Sequence, residues 1–137
     1  MATTVRKVDY FYIMTSNIPG AGASVLAALW DAGIDLLAFS GFPFGQRSQI
    51  DFIPKNPAAF KAAAKKIGLK LSPRKTGFLI QGDDQPGAIA RIMGTLAHED
   101  INVTAIDAVC AGKGRYGALL WVKSKDIAKA AKALRAS

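Results

Sequence analysis

The sequence predicts an α+β protein built from two copies of one βαββαβ unit, each an antiparallel sheet with both helices on one face. Three observations carry this. A set of features recurs at a fixed spacing. Apolar residues switch between a period of two and spacings of three and four. A Pro-Gly turn stands where each first strand gives way to a helix.

The spacing is 67, the difference between positions 19 and 86 of the Pro-Gly pairs, and it also relates Asn17 to Asp84, Leu29 to Leu96, Ile34 to Ile101 and Asp35 to Asn102. Beyond an insertion near Lys113 the spacing becomes 68, relating Arg47 to Arg115, Lys55 to Lys123 and Lys61 to Lys129. A repeated order of features argues for repeated units.

In the first copy, residues 1–72, Val8–Thr15 reads as a strand and "TSNIPGAG" as a turn. Ser24–Ala32 is a helix with Val25, Leu26 and Leu29 inward, stopped by Gly33. Strand Asp35–Phe42, a hairpin at Pro43-Phe44-Gly45 and strand Arg47–Ile53 follow, with Ile50 and Phe52 on one face. Pro57 suits the first turn of a second helix running to about Ile67, with Phe60, Ala63, Ala64 and Ile67 as its buried stripe. Gly68 ends it, Leu69–Ser72 is a short fourth strand, and Pro73–Thr76 is the linker.

The second copy, residues 73–137, opens with strand Gly77–Gln81. Asp83-Asp84-Gln85-Pro86-Gly87 is a turn in which Pro fixes φ, Gly tolerates positive φ and the Asp side chains cap backbone N–H groups. The helix Gly87–His98 buries Ile89, Ile92, Met93 and Leu96. Strand Asn102–Cys110, a loop at Ala111–Gly114, strand Tyr116–Lys123 and helix Lys125–Arg135 complete it, with Ile127, Ala131 and Leu134 inward. No sequence is left for a fourth strand. Either the unit is open on that edge, or Thr3–Lys7 of this chain or of a partner fills the place. Units of under roughly 70 residues bury a marginal core alone, so pairing of the units and a homodimer are expected.

"DDQPG" after an apolar strand, an apolar helix and then "INV" resembles the ACT domain, a regulatory module that binds amino acids in metabolic enzymes. The resemblance implies two ferredoxin-like units in tandem and a stand-alone regulatory protein acting on a metabolic enzyme or other regulator. It also implies ligand contacts at the strand–helix turn and the start of the second strand. In the second unit these are Asp84, Gln85, Gly87, Ala88, Ile89 and Asn102: N–H groups of Gly87, Ala88 and Ile89 for a carboxylate, Asp84 for an ammonium group and Asn102 for either. The matching first-unit positions are Asn17, Ile18, Gly20, Ala21 and Asp35. Ile18 replaces a polar residue there, and Asp35 would repel a carboxylate, so the second unit is expected to bind more strongly.

Composition bounds the rest. Half of the 137 residues are hydrophobic, enough for a packed core, and no apolar run approaches the roughly 20 residues of a bilayer span. The first 14 residues hold Asp9 within their apolar part and lack a cleavage site, and the chain has one cysteine, so a cytoplasmic protein without a secretory signal is expected. The net charge of +8 raises nucleic-acid binding. The lysines, however, cluster as Lys61/Lys65/Lys66 and Lys125/Lys129/Lys132 opposite Ala-rich faces with no interleaved aromatics, the pattern of solvated helix faces.

No catalytic constellation is present in the sequence, and no cofactor is expected. His98 ends a helix on its polar side. Cys110 has no Cys or His near it in sequence and reads as a small buried residue. "GAGASV" after the first strand lacks the third glycine of a dinucleotide loop, and Gly112-Lys113-Gly114 is too short for a phosphate loop. An assembly module without ligand is the rival reading.

Overall fold

A computed structural model describes residues 3–137. The protein is α+β, with antiparallel strand pairs and four α-helices. The elements are β1 (Thr4–Ser16), α1 (Ala21–Asp31), β2 (Leu36–Phe44), β3 (Arg47–Pro54), α2 (Pro57–Lys66), β4 (Lys75–Asp83), α3 (Ala88–His98), β5 (Val103–Gly112), β6 (Arg115–Val122) and α4 (Ile127–Ala133). A 3-10 turn over Ser124–Asp126 leads into α4, which is therefore shorter than expected.

Two compact units form, and they do not follow chain order. The first is Asp9–Lys75; the second combines the stretch through Val8 with Thr76–Ser137. β1, at 13 residues, is longer than the expected strand and gives its two parts to different units.

In the first unit the strand order is β2-β3-β1. Phe11 pairs with Phe52 and Ile13 with Ile50, which sets these apolar residues on the face that meets the helices. Phe60 of α2 stacks on Phe11 at 5.5 Å and lies 5.3 Å from Phe52, and Leu29 of α1 closes the cluster. α2 starts where it does because Asn56 accepts the Ala59 N–H at 3.1 Å and Pro57 needs no partner for a missing N–H. Leu69–Ser72 is not a regular strand. Of these four residues only Ser72 hydrogen-bonds to the β1 backbone: its N–H donates to Tyr12 O at 2.9 Å and its hydroxyl accepts the Tyr12 N–H at 2.9 Å. Pro73, next in line, has no N–H to extend a ladder. The hairpin turn falls at Gly45-Gln46, one residue later than expected, because Pro43 and Phe44 still pair with Ser48 and Arg47.

In the second unit the order is β1-β4-β6-β5. The place of the fourth strand is taken by the first part of β1. On it, the Ser137 N–H donates to Val5 O and the Lys7 N–H to Ser137 O, both at 3.0 Å. Val5 joins a core of Phe78, Ile80, Leu96, Leu120 and Ala130. The insertion in the repeat is a bulge between Cys110 and Gly112 in β5. The 67-residue spacing is restored across the last helix: Leu69 N–H donates to Ala64 O, and Ala136 N–H to Ala131 O. Lys61 and Lys129 are thus not equivalent.

Candidate functional site

The two Pro-Gly turns are built alike. Ala21 N–H donates to Ile18 O at 3.4 Å, and Ala88 N–H to Gln85 O at 3.2 Å. Gly20 has φ 85°, ψ −11° and Gly87 φ 83°, ψ 2°. A proline followed by a residue with positive φ and ψ near zero, closed by that bond, is a type II turn. Gly20 and Gly87 then cap α1 and α3 without any side-chain cap, and their carbonyls accept the Ser24 and Arg91 N–H at 3.0 Å. The Asp side chains, expected to cap backbone N–H groups, make no such cap at the head of α3. Asp83 instead pairs with Arg115 at 2.8 Å, and the Asp84 N–H holds the hairpin at Gly114 O, 2.8 Å away.

Beside the second turn lies a hollow of about 310 Å³. Asp84, Gln85, Gly87, Ala88 and Ile89 line it from the turn, Val109 and Cys110 from β5, and Tyr116 from β6. Tyr116 is 6% exposed, and its hydroxyl is buried without a hydrogen-bond partner among the described residues. Its ring is seated by a glycine: a Cβ at Gly82 would stand 2.8 Å from Tyr116 Cε1 and 2.8 Å from Thr3 Oγ1. Cys110 is exposed, not buried as its residue type suggested, because β5 is an edge strand. A hydrogen bond to Asp84, then desolvation and the Asp84 charge, push its thiol above the ordinary range.

Five of the six expected second-unit residues come together here. Asn102 does not. Asp83 pairs with Arg115 while Val103 pairs with Val122, so Asn102 lies beside the opposite end of the strands, roughly 23 Å away along seven residues of β6. Ala88 is also reassigned, since its N–H is committed to the turn.

The first unit has a corresponding hollow of about 310 Å³ lined by Asn17, Ile18 and Ala21 together with Phe39, Phe42 and Ser48. Asn17 Oδ1 already accepts the Ser48 hydroxyl at 3.1 Å, and Ile18 is 65% exposed. Gly20 shapes the turn without lining the hollow. Asp35 lies beside Leu36, which pairs with Pro54 at the far end of β3, and it meets Lys55 at 3.8 Å.

Tyr116 and Val109 were not singled out from sequence. The signal for Tyr116 was its strand parity, which aligns it with Ala118 and Leu120 on the core face. Among the described residues no group of His, Cys, Asp and Glu side chains could hold a metal ion. No helix there is long and apolar enough to cross a membrane.

No protein-family profile matches the chain, and no curated protein matches it. Solved structures do. A protein from Bacteroides thetaiotaomicron superposes with a TM-score of 0.80 at 20% identity, covering 97% of this chain and 88% of that one. The ligand-free regulatory subunit of aspartate kinase from Thermus thermophilus gives 0.65 at 18% identity, covering 98% and 95%. That from Thermus flavus gives 0.61 at 18%, covering 98% and 95%. These likenesses establish an ACT-like fold with two ferredoxin-like units.

Proposed function

We propose that the chain is a non-catalytic regulatory protein whose second unit takes up a free amino acid or similarly small metabolite at the turn hollow and reports its occupancy to a partner protein. The observation that carries this reading is that the hollow gathers Asp84 and the N–H groups of the turn beside the buried Tyr116 side chain, whose hydroxyl has no hydrogen-bond partner among the described residues. An unsatisfied buried hydroxyl costs about 1–3 kcal/mol, which a polar ligand atom would recover. The Asp84 carboxylate suits an ammonium group, and the N–H groups of Gly87 and Ile89 at the head of α3 suit a carboxylate. A volume of about 310 Å³ fits a small ligand. The likeness to regulatory subunits of aspartate kinase supports a regulatory output through a metabolic enzyme.

Thermal-shift screening with the twenty amino acids tests this. One of them should raise the melting temperature by linkage, and Tyr116→Phe should weaken that ligand about tenfold, the loss of roughly one hydrogen bond. No response to any amino acid, or equal binding by Tyr116→Phe, would remove the hollow from the reading.

A second reading, an assembly module, draws on the edge strands. Phe44 of β2 and Val109 of β5 are 63% and 69% exposed. Apolar residues on strand edges favour self-association, so a homodimer accompanies either reading. Sedimentation equilibrium at micromolar concentration that gave only monomer would count against it.

A further inference from the structure

All four helices end in the same pair of backbone bonds, and the residue at the turn has left-handed backbone. At α1, Gly33 N–H donates to Trp30 O and Ile34 N–H to Leu29 O; at α2, Gly68 to Lys65 and Leu69 to Ala64. At α3 the same roles fall to Asp100 and Ile101, and at α4 to Arg135 and Ala136. The turn residues are Gly33 (φ 73°), Gly68 (φ 80°), Asp100 (φ 57°) and Arg135 (φ 54°). Glycine is the residue this motif favours, and aspartate enters left-handed backbone with some ease. Arginine has no such dispensation, and the equivalent residue of the first unit is Gly68.

Arg135 lines a hollow of about 410 Å³ in the second unit, together with Arg91, Thr3, Thr4 and Gln85 over a floor that includes Ile92 and Leu134. This hollow shares only Gln85 and Ala88 with the one at Tyr116 and does not depend on the reading given to that site. Among the described residues neither guanidinium has a carboxylate within ion-pair distance; Asp83, also at the rim, is held by Arg115 at 2.8 Å. The polar set belongs to the second copy alone: Ser24 stands at the position of Arg91, Ile18 at that of Gln85, and Gly68 at that of Arg135. Thr95 also lines the hollow, but its hydroxyl proton is given to Arg91 O at 3.0 Å.

We propose that this hollow binds the phosphate group of a small phosphorylated molecule, with Arg91 and Arg135 as the two arms of the clamp and the Thr3 and Thr4 hydroxyls as further donors. Two guanidiniums without an ion-pair partner among the described residues match a dianion, and their planar forks serve its terminal oxygens pairwise. The left-handed arginine fits this assignment, because unfavourable backbone persists where a side chain is needed.

Titration calorimetry of the full chain with glycerol 3-phosphate and with inorganic phosphate, at matched ionic strength, tests it. Binding should fall at least tenfold in Arg91→Ala and in Arg135→Gly. Arg135→Gly should at the same time melt at a higher temperature than the parent, since glycine relieves the backbone. Tighter binding of the ester than of the free ion would assign the Ile92–Leu134 floor to the ligand's carbon part, and equal binding would restrict the site to the phosphate; both support the clamp. Absence of binding at millimolar ligand, equal binding by the two variants, or an equal response to acetate or succinate would overturn it.

Discussion

Gly87 separates two roles that one residue can hold. Its φ of 83° is a conformation that residues with a Cβ adopt at a cost, yet a Cβ placed there would meet nothing within 4 Å. Gly87→Ala should therefore lower stability by roughly 1 kcal/mol, read from the denaturant midpoint, through backbone strain alone. A ligand at the hollow should still bind the folded Gly87→Ala protein; only a bulkier Gly87→Val is expected to obstruct it. A Gly87→Ala midpoint equal to that of the parent would contradict the type II turn. Cys110 offers a second test. Its thiol is pushed up by the Asp84 hydrogen bond, so less thiolate is present at a given alkaline pH than for a free cysteine. Asp84→Asn removes the anionic acceptor and should speed iodoacetamide alkylation near pH 8; an unchanged or slower rate would exclude the contact. The turn was legible because Pro and Gly in sequence state their backbone angles. The distance of Asn102 from the turn follows from α3, whose 11 residues, rising 1.5 Å each, carry the chain roughly 16 Å back along the sheet.

Elements were legible where apolar period and punctuation agreed, and less so where pairing is supplied from elsewhere. α3 shows the first case, with Ile92 and Leu96 buried at a spacing of four and Ile89 and Met93 packed beside them. The stretch after Gly68 shows the second: Leu69 and Leu71 alternate like a strand, and both pack on the first-unit core, yet one residue supplies the backbone contact. There Ser72 satisfies Tyr12 on both its N–H and its C=O. Ser72→Ala removes the acceptor for the part-buried Tyr12 N–H and should cost about 1–3 kcal/mol, the penalty of an orphaned donor. Hydrogen exchange at Tyr12 should quicken as well. An unchanged midpoint with unchanged exchange at Tyr12 would show that the side chain is incidental. The bulge at Ala111 was visible only as a one-residue slip in the repeat, since its conformation depends on the partner strand β6.

At the scale of the molecule, the repeat announced two units but not that the chain would exchange a strand between them in sequence terms. The apparent lack of a fourth strand was the clue, and Thr3–Lys7 was one of the segments that met it. The physical reason is the edge of β4: the second unit has its own helices and three strands, and β1 supplies the remaining neighbour. The consequence is that residues far from the second unit in sequence should govern its stability. A chain beginning at Val8 loses Val5 from the core, worth roughly 1.5–3 kcal/mol on full burial. It also loses two backbone hydrogen bonds at Ser137, each worth about 0.5–1.5 kcal/mol. The two tryptophans make this readable. Trp121 is 8% exposed in the second unit, and Trp30 is 81% exposed in the first, so a change of emission wavelength on unfolding reports mainly Trp121. In the truncated chain the Trp121 transition should move to lower denaturant by about 2.5–6 kcal/mol equivalent. Far-UV ellipticity should retain a separate contribution from Asp9–Lys75, whose core of Phe11, Phe52 and Phe60 is left whole. A truncated protein whose Trp121 transition coincided with that of the full chain would mean that the β4 edge stands without its neighbour, and the role given to the first part of β1 would be wrong.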